Sequence, residues 1–256
     1  MIMETTKKRP LPMLFAGIAM ILFAAGKVIY NGILLISYCI EYSRLIAMDI
    51  MSTDELGRIM LSNLYGFGVL AIYALVIAVV GVLFIVVFIK PGRTLYCVSF
   101  GALGLAGVIY AIIALAEVVI HVLTYMGPVL DSGFSAMMLV QLFNGYYGHS
   151  PIIHWLPALL MTAFALLCLS PKARNTLSKL WFIPVILSGV QALLNVVVFG
   201  FLTSWIVRFA LANVLVNTFN SFGTIGFTVC LIFAGLGMSS VVKNNWLEKK
   251  KETQSV

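Results

Sequence analysis

The amino-acid sequence predicts an all-α, polytopic integral membrane protein with six transmembrane helices. Composition is the first observation: 62% of the 256 residues are hydrophobic and 10% are charged, whereas soluble domains average about 45–50% apolar and about 25% charged residues. The second observation is that the apolar residues form long runs, near the ~20 residues that a helix needs to cross a bilayer. Lipid is therefore the expected solvent for most of the chain.

The predicted transmembrane domain covers residues 11–242, between short basic tails at 1–10 and 243–256. Its six apolar segments are residues 11–40, 64–89, 94–123, 153–170, 180–202 and 222–242. Pro12 is tolerated at the start of the first segment, because the first turn of a helix has no internal partner for that N–H group. Ser52 followed by Glu55 forms a capping-box pattern, which predicts a helix start ahead of the second segment.

The basic residues are concentrated in the two tails and in alternate connections between these segments. Four regions, 1–10, 90–93, 171–179 and 243–256, hold twelve of the sixteen Lys and Arg residues. The positive-inside rule then predicts cytoplasmic tails at both ends of the domain. A plasma membrane is expected, and the missing glycosylation sequons favour a bacterial inner membrane. The charges are too few and too dispersed for a nucleic-acid partner.

The basic turns recur at an interval of about 82 residues, which suggests an internal repeat. Each is followed by a long apolar segment, a polar outer connection and a returning apolar segment. Three helical-hairpin repeats are one interpretation, since repeats are common in transporters. The alternative is that any six-helix protein with short inner loops shows the same rhythm.

Ionisable residues within apolar segments are candidates for function, because leaving such a group in lipid costs several kcal/mol. Glu117 and His121 are four residues apart and share one helix face. Lys27 is the only Lys or Arg deep within an apolar run. A buried pair between Lys27 and Glu117 would avoid two uncompensated charges. In the alternative, Lys27 extends its ammonium group toward water and Glu117 lies among the outer headgroups.

Small and amide side chains form two further patterns. Gly101, Gly104 and Gly107 recur every third residue, which predicts a smooth face for close helix contact. Gln191 and Asn195 are four residues apart and face one way. Amides in membrane helices most often bridge helices, and lining a solute pathway is the alternative for this pair.

The outer end of the fourth segment carries residues that could form a metal site. His149 and His154 flank Pro151, and with Glu117 and His121 they would provide nitrogen and oxygen ligands if they converged. Spacing alone does not show convergence, and the four cysteines lie on separate segments without a Cys-x-x-Cys motif. No metal, cofactor or catalytic residue is therefore predicted.

The predicted function is a small permease, or the membrane subunit of a transporter for a small solute. In this hypothesis an outward cavity is lined by Lys27, Glu117, His121, Gln191 and Asn195. The alternative is a non-transporting membrane partner in assembly, sensing or immunity, which acts through helix–helix contacts with another membrane protein or a second copy. An enzyme is not predicted, because known catalytic motifs are missing and no connection is long enough for a soluble catalytic domain.

Overall fold

The computed structural model describes residues 9–48, 53–132, 152–194 and 211–247, and the regular secondary structure in these ranges is α-helical throughout. Within those helices some side chains, including those of 117–132 and 211–222, are outside the description. The helices are α1 (Leu11–Ala47), α2 (Thr53–Ile89), α3 (Arg93–Ser132), α4 (Ile152–Leu167), α5 (Pro171–Leu177), α6 (Phe182–Leu194) and α7 (Leu211–Lys243). The expectation of an all-α protein is confirmed for these ranges.

The helices extend well beyond the apolar runs that predicted them. α1 continues through Glu41 and Arg44 to Ala47, and α2 already begins at Thr53, next to the predicted cap at Ser52, which lies outside the described residues. Polar side chains interrupt an apolar run but leave the backbone hydrogen bonds of a helix intact, so the helix continues. At 33 to 40 residues, α1, α2, α3 and α7 are about 50–60 Å long.

Several of these helices are suited to cross a membrane. Four qualify by length and composition, within Leu11–Ala47, Phe67–Ile89, Arg93–Ile113 and Gly223–Lys243. A fifth crossing results if α5 and α6, which meet at an angle of 41°, form one span, whereas the apolar part of α4 is shorter. For the described residues this establishes four to five candidate spans, and the count of six stays a prediction.

The helices form a closed ring. α1 packs against α2, α2 against α3, and α3 against α4, while α7 closes the ring by contacting both α4 and α1. α6 packs against α4 and α7, on the outside of their junction. The interior of the bundle is therefore surrounded by α1, α2, α3, α4 and α7.

Seven of the ten Lys and Arg residues in the described ranges lie at one end of this ring. The Arg9 guanidinium stands 5.9 Å from the Phe88 ring centroid, which joins the start of α1 to the end of α2. The Tyr96 hydroxyl donates a 3.1 Å hydrogen bond to the Ala165 carbonyl, which joins the start of α3 to the end of α4. We call this end, which carries Arg9, Lys90, Arg93, Lys172, Arg174, Lys179 and Lys243, the basic end.

The outward faces of the ring are apolar. Leu22, Ile72, Leu75, Leu105 and Ile112 are each more than half exposed. In water an apolar surface of this extent promotes association or aggregation. It matches a lipid environment, as the composition predicts.

Glycines bring neighbouring helices into backbone contact. A Cβ atom at Gly81 would stand 2.7 Å from the Gly17 carbonyl oxygen, so α1 and α2 meet there without side chains between them. A Cβ at Gly104 would meet Thr162 at 2.8 Å, and one at Gly107 would meet Ala158 at 3.2 Å. The predicted close contact is thus confirmed for Gly104 and Gly107, against α4, while Gly101 has open space beside it.

We predict that Gly81→Ala lowers the free energy of unfolding by about 1–3 kcal/mol, because a Cβ there forces α1 away from α2. Thermal unfolding of the purified protein in detergent measures the loss. Gly101→Ala is the matched control, since nothing lies within 4 Å of its added Cβ. Equal unfolding midpoints for the two variants would contradict the close approach.

Candidate functional site

Each of the five helices around the interior contributes one aromatic side chain to a common cluster. Its members are Phe23, Tyr73, Tyr110, His154 and Phe227, from α1, α2, α3, α4 and α7, and we call it the aromatic cluster. Ring centroids are 5.8 Å apart for Phe23 and Phe227, 4.6 Å for His154 and Phe227, 4.9 Å for Tyr110 and His154, and 4.5 Å for Tyr73 and Tyr110. These are contact distances, so the rings form a continuous chain across the interior.

The aromatic cluster lies at one depth along the bundle. Tyr73, Tyr110 and Phe227 are about 24–26 Å along their helices from the basic end, and His154 is about 20 Å from the end of α4. A bilayer has a hydrocarbon core about 30 Å thick. Measured from the basic end, the cluster falls in the far half of such a core.

His154 stands at the centre of the aromatic cluster. Its side chain is only 3% exposed, and it meets Phe227 and Tyr110 edge to face. Its Nδ1 atom has no hydrogen-bond partner among the described residues. A buried polar atom left in this state costs about 1–3 kcal/mol, so this position is poorly explained by packing alone.

Lys27 lies one helical turn beyond Phe23 on α1. Its Nζ atom is 5.9 Å from the Phe23 ring centroid, and the same Phe23 ring is 6.1 Å from that of His154. Lys27 and His154 are close enough to interact electrostatically. No carboxylate pairs with Lys27 among the side chains that the structure describes. The ring of Phe23 provides only partial compensation, because a cation–π contact contributes about 0.5–2 kcal/mol.

Gly223 on α7 makes room for the Lys27 ammonium group. A Cβ atom at Gly223 would stand 2.7 Å from Lys27 Nζ and 2.8 Å from its Cε. Real Cβ atoms do not tolerate these distances, so only glycine permits Lys27 to lie here undisturbed. The position of the cation therefore depends on α7 as well as on α1.

The first turn of α4 lies at the same depth. α4 begins at Ile152, two residues before His154. The first four N–H groups of a helix have no partner within it, and together with the helix dipole they favour anions. Pro157 lies inside α4 and removes the N–H group that would otherwise bond the Ile153 carbonyl. The first turn of α4 consequently has one backbone hydrogen bond fewer than an uninterrupted helix would have.

Gln191 belongs to a different contact, between α6 and α7. One turn before it, Ser188 Oγ and Thr228 Oγ1 form a 2.7 Å hydrogen bond, and Thr228 also donates to the Thr224 carbonyl. The Gln191 Oε1 atom is buried without a hydrogen-bond partner in the described ranges. The structure thus locates Gln191 on the outer helix α6, which contributes nothing to the aromatic cluster.

The structure describes only part of the predicted cavity lining. Lys27 lies inside the ring, beside the aromatic cluster, and Gln191 lies on α6. Glu117 and His121 fall on α3, but their side chains lie outside the described residues, and Asn195 lies outside them altogether. The predicted pairing of Lys27 with Glu117 stays a prediction.

Sequence reasoning did not identify the aromatic cluster. The sequence pattern points to His154 only as a metal ligand with His149, which lies outside the described residues together with the side chains of Glu117 and His121. Within the described part of the chain, no three His, Cys, Asp or Glu residues form a group that could hold a metal ion. The available signal was an aromatic residue at a similar distance from the basic end of each helix. Aromatic residues are too frequent in this chain for that signal to stand out.

Comparisons of the chain with protein-family models, with curated proteins and with solved structures give no match. Functional inference therefore rests on the geometry of these residues and on physical principles.

We predict that Lys27→Met raises the thermal unfolding midpoint, with a gain of at least about 1 kcal/mol, because methionine fills similar space without a charge to desolvate. The measurement is thermal unfolding in detergent. Lys243→Met, at the exposed basic end, serves as the control and should leave the midpoint unchanged. Destabilisation of about 3–5 kcal/mol in both Lys27→Met and Glu117→Gln would instead support the Lys27–Glu117 ion pair.

Proposed function

We propose that the protein is a small permease, or the membrane subunit of a larger transporter, for a small solute. The observation that carries the proposal is that Lys27 and His154 both lie beside the Phe23 ring, inside a ring of apolar helices. Charged and polar side chains within membrane helices are costly, and they commonly mark the path of a solute or ion. A purely structural role would be met at lower cost by apolar side chains of similar volume.

The proposal includes six membrane crossings. Four are the long helices, the bent pair of α5 and α6 supplies one, and the shorter α4 supplies the last. α4 is about 24 Å long, so it crosses only where the bilayer is thin or where its N-terminal end opens into a cavity. Packing of α1 on α2, α3 on α4 and α6 on α7 supports three hairpins, while their origin as sequence repeats stays a prediction.

We place the basic end in the cytoplasm and the protein in a plasma membrane, in keeping with a bacterial inner membrane. Support comes from the clustering of basic residues at one end of the ring, which is the arrangement that the positive-inside rule describes. In this orientation the aromatic cluster lies in the outer half of the bilayer. A solute would reach Lys27 and His154 from outside.

In the proposed mechanism α4 is the moving element. Pro157 weakens the backbone bonding of its first turn, the turn that carries His154. Irregular helix segments at membrane depth are a recurrent device in transporters, where they line the solute site. Displacement of this turn relative to α1 and α7 would separate His154 from Phe23 and Phe227 and open the site.

One observation favours a second function, that of a non-transporting membrane partner. Ile29, Ile33, Ile36 and Ile40 on α1 are each more than half exposed. Their spacing of four, three and four residues is that of a helix–helix seam. A second copy or another membrane protein would cover this seam, and in that case the protein would act through contact.

The orientation predicts opposite labelling of two exposed positions. In a variant with Cys39, Cys97, Cys168 and Cys230 replaced by alanine, Met48→Cys should react with an impermeant maleimide in intact cells. Asn175→Cys, at the basic end, should react only after permeabilisation. Both positions are exposed, so accessibility of the membrane face decides the outcome. The reverse pattern would overturn the orientation and the outward solute path.

If the protein is a permease, it should carry a solute-dependent transport current that requires Lys27. Proteoliposomes on a solid-supported membrane are given concentration jumps of small carboxylates, amino acids and amines. The wild type and Lys243→Met should respond to at least one class, and Lys27→Met should not, since it lacks the cation in the ring. A wild type that responds to none of them and copurifies with a second membrane protein would favour the partner function.

A further inference from the structure

We infer that Lys27, His154 and the first turn of α4 bind the carboxylate of a small aromatic monoanion, whose ring lies against the aromatic cluster. This inference deepens the proposed function by naming its solute class, and it rests on that proposal in treating the cluster as the solute site. Binding and transport are measured separately, so each can fail without the other.

The charge of Lys27 favours an anionic ligand. Lys27 carries a positive charge inside the ring, and the described side chains hold no carboxylate against it. A cationic ligand would be repelled, and a neutral one would leave the charge uncompensated. One negative charge on the ligand balances it, whereas a dianion would bring in an excess charge at the same desolvation cost.

The buried His154 side chain favours a ligand that accepts hydrogen bonds. His154 Nδ1 is buried without a partner in the described ranges, and in one tautomer this atom donates an N–H group. His154 also lies in the first turn of α4, where backbone N–H groups have no partner within the helix. A carboxylate accepts several hydrogen bonds at its two oxygens, so it suits an ammonium group, an imidazole and a helix N-terminus together.

The aromatic rings beside Lys27 and His154 favour an aromatic group on the ligand. Phe23 is shared by Lys27 Nζ, at 5.9 Å, and by the His154 ring, at 6.1 Å. Any group bound between the cation and the imidazole therefore lies beside aromatic rings of α1, α3 and α7. Apolar and aromatic groups are favoured there, because stacked or edge-to-face rings gain about 0.5–1.5 kcal/mol beyond area burial.

Substitution of Gly223 provides an independent test of the same site. Its missing side chain leaves room for the Lys27 ammonium group, and an added Cβ would come within 2.7 Å of Nζ. Gly223→Ala thus displaces the charge without removing it. Gly189→Ala is a matched control, because its added Cβ makes only an ordinary 3.9 Å contact with Thr228.

The test is equilibrium binding of benzoate to the purified full-length protein in detergent. Binding is measured by calorimetry and by saturation-transfer NMR. Benzoate should bind saturably. Benzamide, which has nearly the same shape without the charge, and acetate, which has the charge without the ring, should each bind at least ten times more weakly. Equal binding of benzamide would overturn the anion site, and equal binding of acetate would overturn the aromatic contact.

Variants locate the binding. Lys27→Met, His154→Leu and Gly223→Ala should each weaken benzoate binding at least tenfold, while Lys243→Met and Gly189→Ala should leave it unchanged. If a variant fails to fold, the comparison of benzoate with benzamide on the wild type still decides whether an anion is bound. Unchanged affinity in folded Lys27→Met would overturn the assignment to this site.

Three further outcomes distinguish this inference from a lipid-binding site and from the proposed permease function. Saturable binding of oleate without binding of benzoate would replace the small carboxylate by a lipid-derived one and overturn the inference. Benzoate binding in a protein that moves no solute would support the site and count against the permease. Transport of another solute class without benzoate binding would keep the permease and overturn the solute class.

Discussion

The contact between Gly17 and Gly81 sets the distance between α1 and α2, and the ring depends on contacts of this kind. Apolar helix surfaces gain little by leaving lipid for one another, so association in a membrane relies on close packing and on hydrogen bonds between helices. The same device recurs between α3 and α4, where Gly104 lies against Thr162. Because the backbones approach so closely on these faces, large side chains are confined to the interior and to the lipid-facing surface.

Polar groups with and without hydrogen-bond partners are separated along the axis of the ring. Near the basic end the interior polar groups have partners: Tyr96 bonds to the Ala165 carbonyl, and Thr162 bonds to the Phe100 carbonyl at 2.9 Å. Further along, Lys27 and His154 bring a charge and a buried polar nitrogen to the interior without such partners in the described residues. The first region meets the requirements of packing, and the second departs from them in the way that binding sites commonly do.

Particular residues show how far prediction from sequence reached. The close contacts of Gly104 and Gly107 followed from a local pattern, and the structure bears them out. The predicted helix cap at Ser52 lies outside the described residues. Lys27 could be recognised from the sequence as a candidate site residue, because a cation within an apolar run is unusual whichever way its side chain points. His154 was noticed, but its neighbours were not, because which rings meet it depends on how five helices are rotated about their axes.

Sequence by itself determined that the chain is all-α, with long apolar helices, and that basic residues gather at alternate turns. Those features follow from composition and from hydrogen bonds between residues four apart, which need no distant partner. Only the tertiary structure decided that α6 stays outside the ring, and that Phe23, Tyr73, Tyr110, His154 and Phe227 share one depth. Helix order and rotation arise from close packing between surfaces that are all apolar, so the sequence of each helix alone leaves them open.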